Sequence, residues 1–224
     1  MNYDFIAAKK LFNEPDKSVS LYRNLWKEGS TALLHAPRGL DKTGLALSIA
    51  DEIAAKGRDV LYVNAEGRLN NRKAESDNLF VYNPEFESID DKTDYADLIF
   101  NAIEHAVRTT SIRTFVIDSV SRIAALSFGR NGSVAYIMKR LVALQVKCRL
   151  SLLVIADDST KSVNNSLLAL TASEITLQAD DSDDSGAVVV GRAGKAEQPL
   201  SDALIPMTRQ QRRALSRRMA MSKR

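Results

Sequence analysis

Residues 36–43 (APRGLDKT) have the types and spacing of a loop that binds phosphate. The pattern G-x-x-x-x-G-K-[ST] would begin at Ala36 and place its second glycine at Asp41. Both glycines are absent, but Lys42 and Thr43 are present, directly before a segment with a helical pattern. In such a loop the lysine contacts phosphate oxygens and the Ser/Thr hydroxyl ligates Mg²⁺. The sequence therefore predicts phosphate contact by Lys42 and metal ligation by Thr43.

Asp41 is the residue that most alters this loop. It replaces a glycine that lets the backbone approach phosphate, and it adds a Cβ and a negative charge. At about 4 Å and an effective dielectric near 20, one like-charge pair costs roughly 4 kcal/mol, or about a thousandfold in affinity. Asp41 would avoid this cost by pairing with Arg38 or by pointing away from the phosphates. The residues predicted to bind the nucleotide are Arg38, Gly39, Leu40, Asp41, Lys42, Thr43 and Gly44.

Two acidic residues follow later apolar segments. Glu66 comes after residues 59–64, and Asp118 ends the run at 113–118. If both runs are parallel strands, their carboxyl ends meet beside the loop, where ligands bind in open α/β folds. Asp118 would then hold the metal through water, and Glu66 would act as the general base on the attacking water. Each acid could instead cap a helix or lie in a loop.

The elements that must position these residues follow from the apolar pattern. Near-continuous apolar runs separated by helical segments predict a parallel sheet covered on both faces. The alternating pattern at 174–178 and 187–190 predicts a C-terminal antiparallel β-hairpin. The helical spacing of Leu21, Tyr22, Leu25 and Trp26 favours a short helix, and residues 121–132 read as a polar loop. The predicted strands are 31–35, 59–64, 79–82, 113–118 and 150–156, and the predicted helices are 44–56, 133–149 and one from an acidic cap at 90–94 to about 108.

Composition and charge favour a soluble protein in the cytoplasm. The chain has 224 residues, 45% hydrophobic and 26% charged, and a single cysteine that excludes an internal disulfide. No apolar run approaches the roughly 20 residues that span a bilayer. Residues 207–224 carry seven Lys/Arg and no Asp/Glu, and this tail either binds nucleic-acid phosphates or is a solvated, flexible terminus. The predicted organisation is an N-terminal helical or linker segment (1–29), a core (30–206) and the basic tail (207–224).

With these residues in place, the chain resembles RecA-like P-loop ATPases, and most closely the DnaB-type replicative helicases. The resemblance covers roughly residues 20–200. It rests on segments 36–50 (APRGLDKTGLALSIA), 59–67 (DVLYVNAEG), 114–119 (TFVIDS) and 152–156 (LLVIA). It implies a RecA-like core that uses ATP and Mg²⁺, a ring or filament of identical subunits, and single-stranded DNA contact. The DNA would meet loops 121–133 and 157–166, including Arg122, Arg130 and Lys161, and the basic tail.

Three functions are compatible with these features. The first is a RecA-like ATPase in DNA metabolism, meaning replication, recombination or mobile-element maintenance, with Lys42, Glu66 and Asp118 as catalytic residues. The second is a catalytically degenerate module that serves as a DNA-binding or assembly partner. The third, a small-molecule kinase, is weaker because no arginine-rich lid segment is evident.

Overall fold

The computed structural model describes residues 19–37, 39–69, 72–84, 94–157, 167–179 and 187–193. The strands are β1 (Ser20–Tyr22), β2 (Trp26–Lys27), β3 (Thr31–Ala36), β4 (Val60–Asn64), β5 (Leu79–Tyr82), β6 (Thr114–Asp118), β7 (Ser151–Asp157), β8 (Ser173–Ala179) and β9 (Ala187–Ala193). The helices are α1 (Lys42–Ala55), α2 (Tyr95–Thr109), α3 (Val120–Ala125) and α4 (Val134–Cys148), with a 3-10 helix at Gly129–Gly132.

The central sheet has seven strands in the order β5-β4-β6-β7-β3-β8-β9. Neighbouring strands are parallel from β5 through β8, and only β8 and β9 pair antiparallel. This topology confirms the predicted α/β class, the mostly parallel sheet and the C-terminal hairpin. Because β3 lies between β7 and β8, the loop that follows it emerges near the middle of the sheet.

Strands β3, β4, β6 and β7 are buried on both faces of the sheet, which explains why they read as apolar runs. Successive residues of one strand enter different cores: Leu33 lies in the core that includes α2, α3 and α4, whereas Leu34 lies in the core that includes α1. Helix α1 buries Ile49 and Ile53 on its own face of the sheet. The N-terminus of α1 is thereby held at the edge where the parallel strands end.

The prediction of a helix over residues 21–26 is wrong. These residues form a small antiparallel ribbon, β1–β2, that turns at Arg23 and Asn24 with φ of 44° and 59°. Two successive positive φ values are incompatible with a right-handed helix. The four apolar side chains are buried against the α1 face of the sheet, and Trp26 is fully buried with its indole N–H donating to the Ser30 carbonyl at 3.3 Å.

The prediction of a loop over residues 121–132 is also wrong in part. Residues 121–125 belong to helix α3, and residues 129–132 form the 3-10 helix. Ser119 caps α3 by accepting a hydrogen bond from the Arg122 backbone N–H at 3.2 Å. Val120 and Ile123 are buried three residues apart, as one face of a helix requires. The element is only six residues long, so its apolar period is too short to stand out in the sequence.

Several predictions lie outside the described residues: those for Arg38, for most of the loop at 157–166 and for the basic tail. The domain boundaries at residues 29 and 206 stay predictions. None of the helices in the described part of the chain is long and apolar enough to cross a membrane.

Candidate nucleotide-binding site

The predicted site residues meet at the carboxyl edge of the sheet. Strand register places Ala36 beside Asp157 and Asn64 beside Asp118, so β3, β4, β6 and β7 end together. A cleft of about 300 Å³ opens there. Its lining residues are Gly39, Leu40, Asp41, Lys42, Thr43, Glu66, Arg68, Arg72, Asp118, Ser119, Ile155 and Asp157.

Asp118 and Thr43 form the deepest part of the cleft. Asp118 is 1% exposed, and its carboxylate accepts a hydrogen bond from the Thr43 hydroxyl. The buried hydroxyl of Tyr62 donates to the same carboxylate at 2.8 Å. Burial raises the pKa of Asp118 above its ordinary value, although the hydrogen bonds from Tyr62 and Thr43 act in the opposite direction. A carboxylate placed in this way is one that a bound cation would stabilise.

Lys42 lies in the same cleft and contacts groups of the protein itself. Its ammonium lies 3.1 Å from a carboxylate oxygen of Asp157 and donates to the Ala36 carbonyl at 3.4 Å. The Lys42 side chain is 12% exposed, so its charge lies in a partly desolvated position. A phosphate group entering the cleft would compete with Asp157 for this charge.

Glu66 is held beside Asp118 from several directions. The Ser119 hydroxyl donates to one Glu66 carboxylate oxygen at 2.6 Å, and Arg68 lies 3.4 Å from the other. The Glu66 backbone N–H donates to the Asp118 carbonyl at 2.9 Å, which ties the end of β4 to the end of β6. Glu66 therefore has a fixed position at the cleft, as a general base requires.

Asp41 is the N-cap of helix α1 and makes a paired contact with Arg72. One carboxylate oxygen accepts from the Gly44 backbone N–H at 3.0 Å and from Arg72 Nη2 at 2.7 Å. The other oxygen accepts from Arg72 Nη1 at 3.1 Å. Since Asp41 is neutralised by Arg72, the cost estimated for an isolated like charge does not apply to it in this form.

The loop before α1 closes on itself. The Lys42 backbone N–H donates to the Leu40 carbonyl at 3.0 Å, and the Leu40 N–H donates to the Pro37 carbonyl at 3.4 Å. Gly39 has a φ of 99°, which only glycine adopts readily, and this allows the tight path. Two backbone N–H groups at the start of the helix, those of Lys42 and Gly44, thus donate to the protein itself.

The sequence predicts the central residues of this site but not the residues that surround them. Lys42, Thr43, Glu66 and Asp118 lie together as predicted, and the loop residues from Gly39 to Thr43 line the cleft. Sequence reasoning missed the contributions of Tyr62, Arg68 and Arg72. Tyr62 carried one signal, because its hydroxyl is the single side-chain polar group among the apolar residues 60–63. Arg72 carried none, since it follows in a polar loop with several charged neighbours.

The donor set fits a magnesium–nucleotide complex. Mg²⁺ prefers hard oxygen ligands and commonly takes one or two from the protein, with waters and substrate phosphates completing its shell. Thr43 and Asp118 present a hydroxyl and a carboxylate at one point, next to the ammonium of Lys42. Among the described residues, no group of three or more His, Cys, Asp or Glu side chains could hold a metal ion.

Fold and site together define a RecA-like domain of the ATPase type. A family model described as "AAA domain" matches residues 3–158, more than half of the sequence, and the chain belongs to this family. No curated protein matches the sequence.

Among solved structures, the fold is similar to that of a KaiC-like protein from the hyperthermophilic archaeon Pyrococcus horikoshii OT3. The two chains are 15% identical, with a TM-score of 0.60, and the match covers 83% of this chain and 92% of the other. At this identity the likeness shows the fold alone. It confirms the RecA-like architecture predicted from the sequence, whereas the DnaB-type branch stays a prediction.

Proposed function

We propose that this protein binds magnesium–ATP in the cleft at the carboxyl edge of its sheet and hydrolyses it. The observation that carries the proposal is the hydrogen bond between the Thr43 hydroxyl and the buried Asp118 carboxylate, with Lys42 lining the same cleft. A hydroxyl and an ammonium at the start of α1, with a carboxylate at the end of β6, form the minimal set for a metal-bound triphosphate.

Each residue has a distinct role in this proposal. Thr43 and Asp118 hold the magnesium ion, which when bound offsets negative charge on the phosphate oxygens. Lys42 leaves Asp157 and contacts phosphate. Glu66, fixed by Ser119, accepts a proton from the attacking water.

Titration calorimetry of the full chain with ATP and Mg²⁺ tests this assignment. Lys42→Ala is expected to weaken binding by about 100-fold, because it removes a charge-assisted contact of about 1.5–3 kcal/mol and leaves Asp157 facing the phosphates. Glu66→Gln should retain ATP binding and lose hydrolysis, measured as phosphate release. Lys56→Ala is the matched control, since Lys56 pairs with Glu52 at the opposite end of α1. Wild-type protein that binds no ATP at millimolar concentration would contradict the proposal.

A role in DNA metabolism is the finer part of the proposal, with assembly into a ring or filament as in the DnaB-type branch. Its support is an exposed surface after α3, where Phe128 is 66% exposed and Arg130 is exposed two residues later. An aromatic ring beside a cation offers stacking and charge to single-stranded DNA.

Fluorescence anisotropy with a labelled oligothymidine tests the DNA part. Phe128→Ala should weaken binding by about 10-fold, because stacking contributes roughly 1–3 kcal/mol per base. Deleting residues 207–224 should flatten the salt dependence. Arg108→Ala is the control, since this exposed arginine lies at the far end of α2. The DNA role would be overturned if the protein does not bind DNA, or if neither Phe128→Ala nor the deletion alters its DNA binding.

The second candidate is a degenerate module that binds a partner without hydrolysing ATP. The closed loop favours it, because Lys42 and two backbone N–H groups already have partners within the protein. Phosphate release by the wild-type protein separates the two candidates, since a degenerate module would release none.

A further inference from the structure

We propose that Arg72 is a phosphate-binding residue of this site. In the free protein its guanidinium is paired with the Asp41 carboxylate. When a nucleotide enters, the Arg72 guanidinium exchanges the Asp41 carboxylate for a phosphate group. The inference rests on the proposed nucleotide binding and adds to it a residue outside the Lys-Thr loop.

The geometry of the pair is the first argument. Arg72 donates from both Nη atoms to both Asp41 oxygens, at 2.7 and 3.1 Å. This paired geometry suits phosphate as well as carboxylate, because both present two oxygens to the planar guanidinium. Asp41 therefore occupies donors that would suit a phosphate equally well.

The pair also lies directly on the start of α1. A Cβ added at Gly44 would lie 2.4 Å from Asp41 Oδ2 and 2.5 Å from Arg72 Nη1. The glycine thus leaves the space that both side chains fill. Because the Gly44 N–H donates to Asp41 as well, carboxylate and guanidinium meet at a helix N-terminus that favours anions.

The backbone that carries Arg72 is fastened along α1. The N–H groups of Glu75 and Ser76 donate to Asp51 at 3.0–3.2 Å, and the Asn78 side chain donates to the Ala54 carbonyl at 3.1 Å. This segment fixes the Arg72 backbone near the cleft, while the long side chain can rotate. The Arg72 and Asp41 side chains are 29% and 23% exposed, so the pair can be reached by a ligand in the cleft.

The charges of the cleft favour such an exchange. Each of three cations, Lys42, Arg68 and Arg72, lies against a carboxylate of the same cleft. A triphosphate that enters the cleft therefore competes with these carboxylates for the cations. Arg72 is the cation already held in a two-donor arrangement, and Asp41 keeps a partner in the Gly44 N–H after displacement.

A double-mutant cycle on the full chain distinguishes phosphate contact from mere neutralisation of Asp41. The probes are Mg-ATP and inorganic tripolyphosphate, titrated by calorimetry into wild type, Asp41→Asn, Arg72→Ala and the double variant. Asp41→Asn should bind both probes about 10-fold more tightly, because Arg72 no longer has to be released. Arg72→Ala should lose about 10-fold in the wild type and about 100-fold in the Asp41→Asn background, where the lost phosphate contact is no longer offset by the cost of releasing Arg72.

The outcomes separate the two proposals. If Arg72→Ala has no effect in the Asp41→Asn background while Lys42→Ala abolishes binding, the proposed function stands and the role of Arg72 is overturned. If neither wild type nor Asp41→Asn binds either probe, both proposals fail. Arg58→Ala is the matched control, because Arg58 forms an ion pair with Glu28 beyond the far end of α1 and should leave affinity unchanged. Arg72→Gln replaces Arg72→Ala if circular dichroism shows that the alanine variant is unfolded.

Discussion

Two aspartates begin two helices of this protein, and their partners differ. Asp94 caps α2, accepting from the Ala96 and Asp97 backbone N–H groups at 3.0 and 3.3 Å, from the Phe128 N–H at 2.7 Å and from the Asn131 amide at 2.9 Å. Asp41 caps α1, accepting from one backbone N–H and from the guanidinium of Arg72. The same residue type at the same helix position thus has different hydrogen-bond partners in the two helices.

The difference lies in whether the partners can leave. Three of the partners of Asp94 are backbone N–H groups, and that of Phe128 joins α2 to the segment after α3. Partial burial favours the neutral form of Asp94, but these hydrogen bonds outweigh it and lower its pKa below 3.8. The principal partner of Asp41 is a flexible side chain that lines a cleft. Asp94 is therefore a structural cap, whereas the contact of Asp41 can be exchanged for a ligand.

Replacing each aspartate by alanine should show the difference between the two caps most clearly in the free energy of unfolding. Asp94→Ala is expected to lower the free energy of unfolding by about 2 kcal/mol, because it removes a cap and leaves the Phe128 N–H without its acceptor. Asp41→Ala should cost about 1 kcal/mol, since Arg72 is left close enough to solvent to be hydrated. Urea denaturation at pH 7 measures both.

The nucleotide titration should give the reverse order for these variants. Asp41→Ala should raise the affinity for Mg-ATP, and Asp94→Ala should leave it unaltered. Equal losses of stability, or an effect of Asp94→Ala on nucleotide affinity, would show that the two caps do not differ in kind.

The sequence predicts the parts of the site that depend on the sheet. Because parallel strands end at one edge, the positions of Glu66 and Asp118 after two apolar runs were enough to place them beside Lys42 and Thr43. The bounds of the five predicted parallel strands agree to within one residue at each end. In β3, β4, β6 and β7, burial on both faces leaves a strong apolar signal.

Contacts that depend on loop paths could not be predicted in this way. Arg72 reaches Asp41 across 31 residues through a polar segment whose course is set by hydrogen bonds to α1. The ribbon at residues 20–27 and the helix α3 were missed for another reason. Both are short, and their apolar spacing fits more than one element.

The smallest expected effect concerns the pH dependence of stability at the Asp94 cap. Because the folded protein holds Asp94 ionised more strongly than the unfolded chain does, the unfolded chain binds more protons between the two pKa values. The contribution of Asp94 is therefore complete above about pH 5 and is lost as pH falls through 3.8 towards the lower folded-state pKa.

Asp94→Asn isolates this contribution, because asparagine still caps a helix but does not titrate. The variant should be less stable than wild type by about 1 kcal/mol at pH 7, since its amide N–H₂ cannot accept from the Phe128 N–H. The difference between the two urea unfolding free energies should shrink steadily as pH falls from 5 to 3. A difference that stays constant over this range would mean that the hydrogen bonds at Asp94 do not favour the ionised form. The contrast with Asp41 would then rest on the mobility of Arg72 alone.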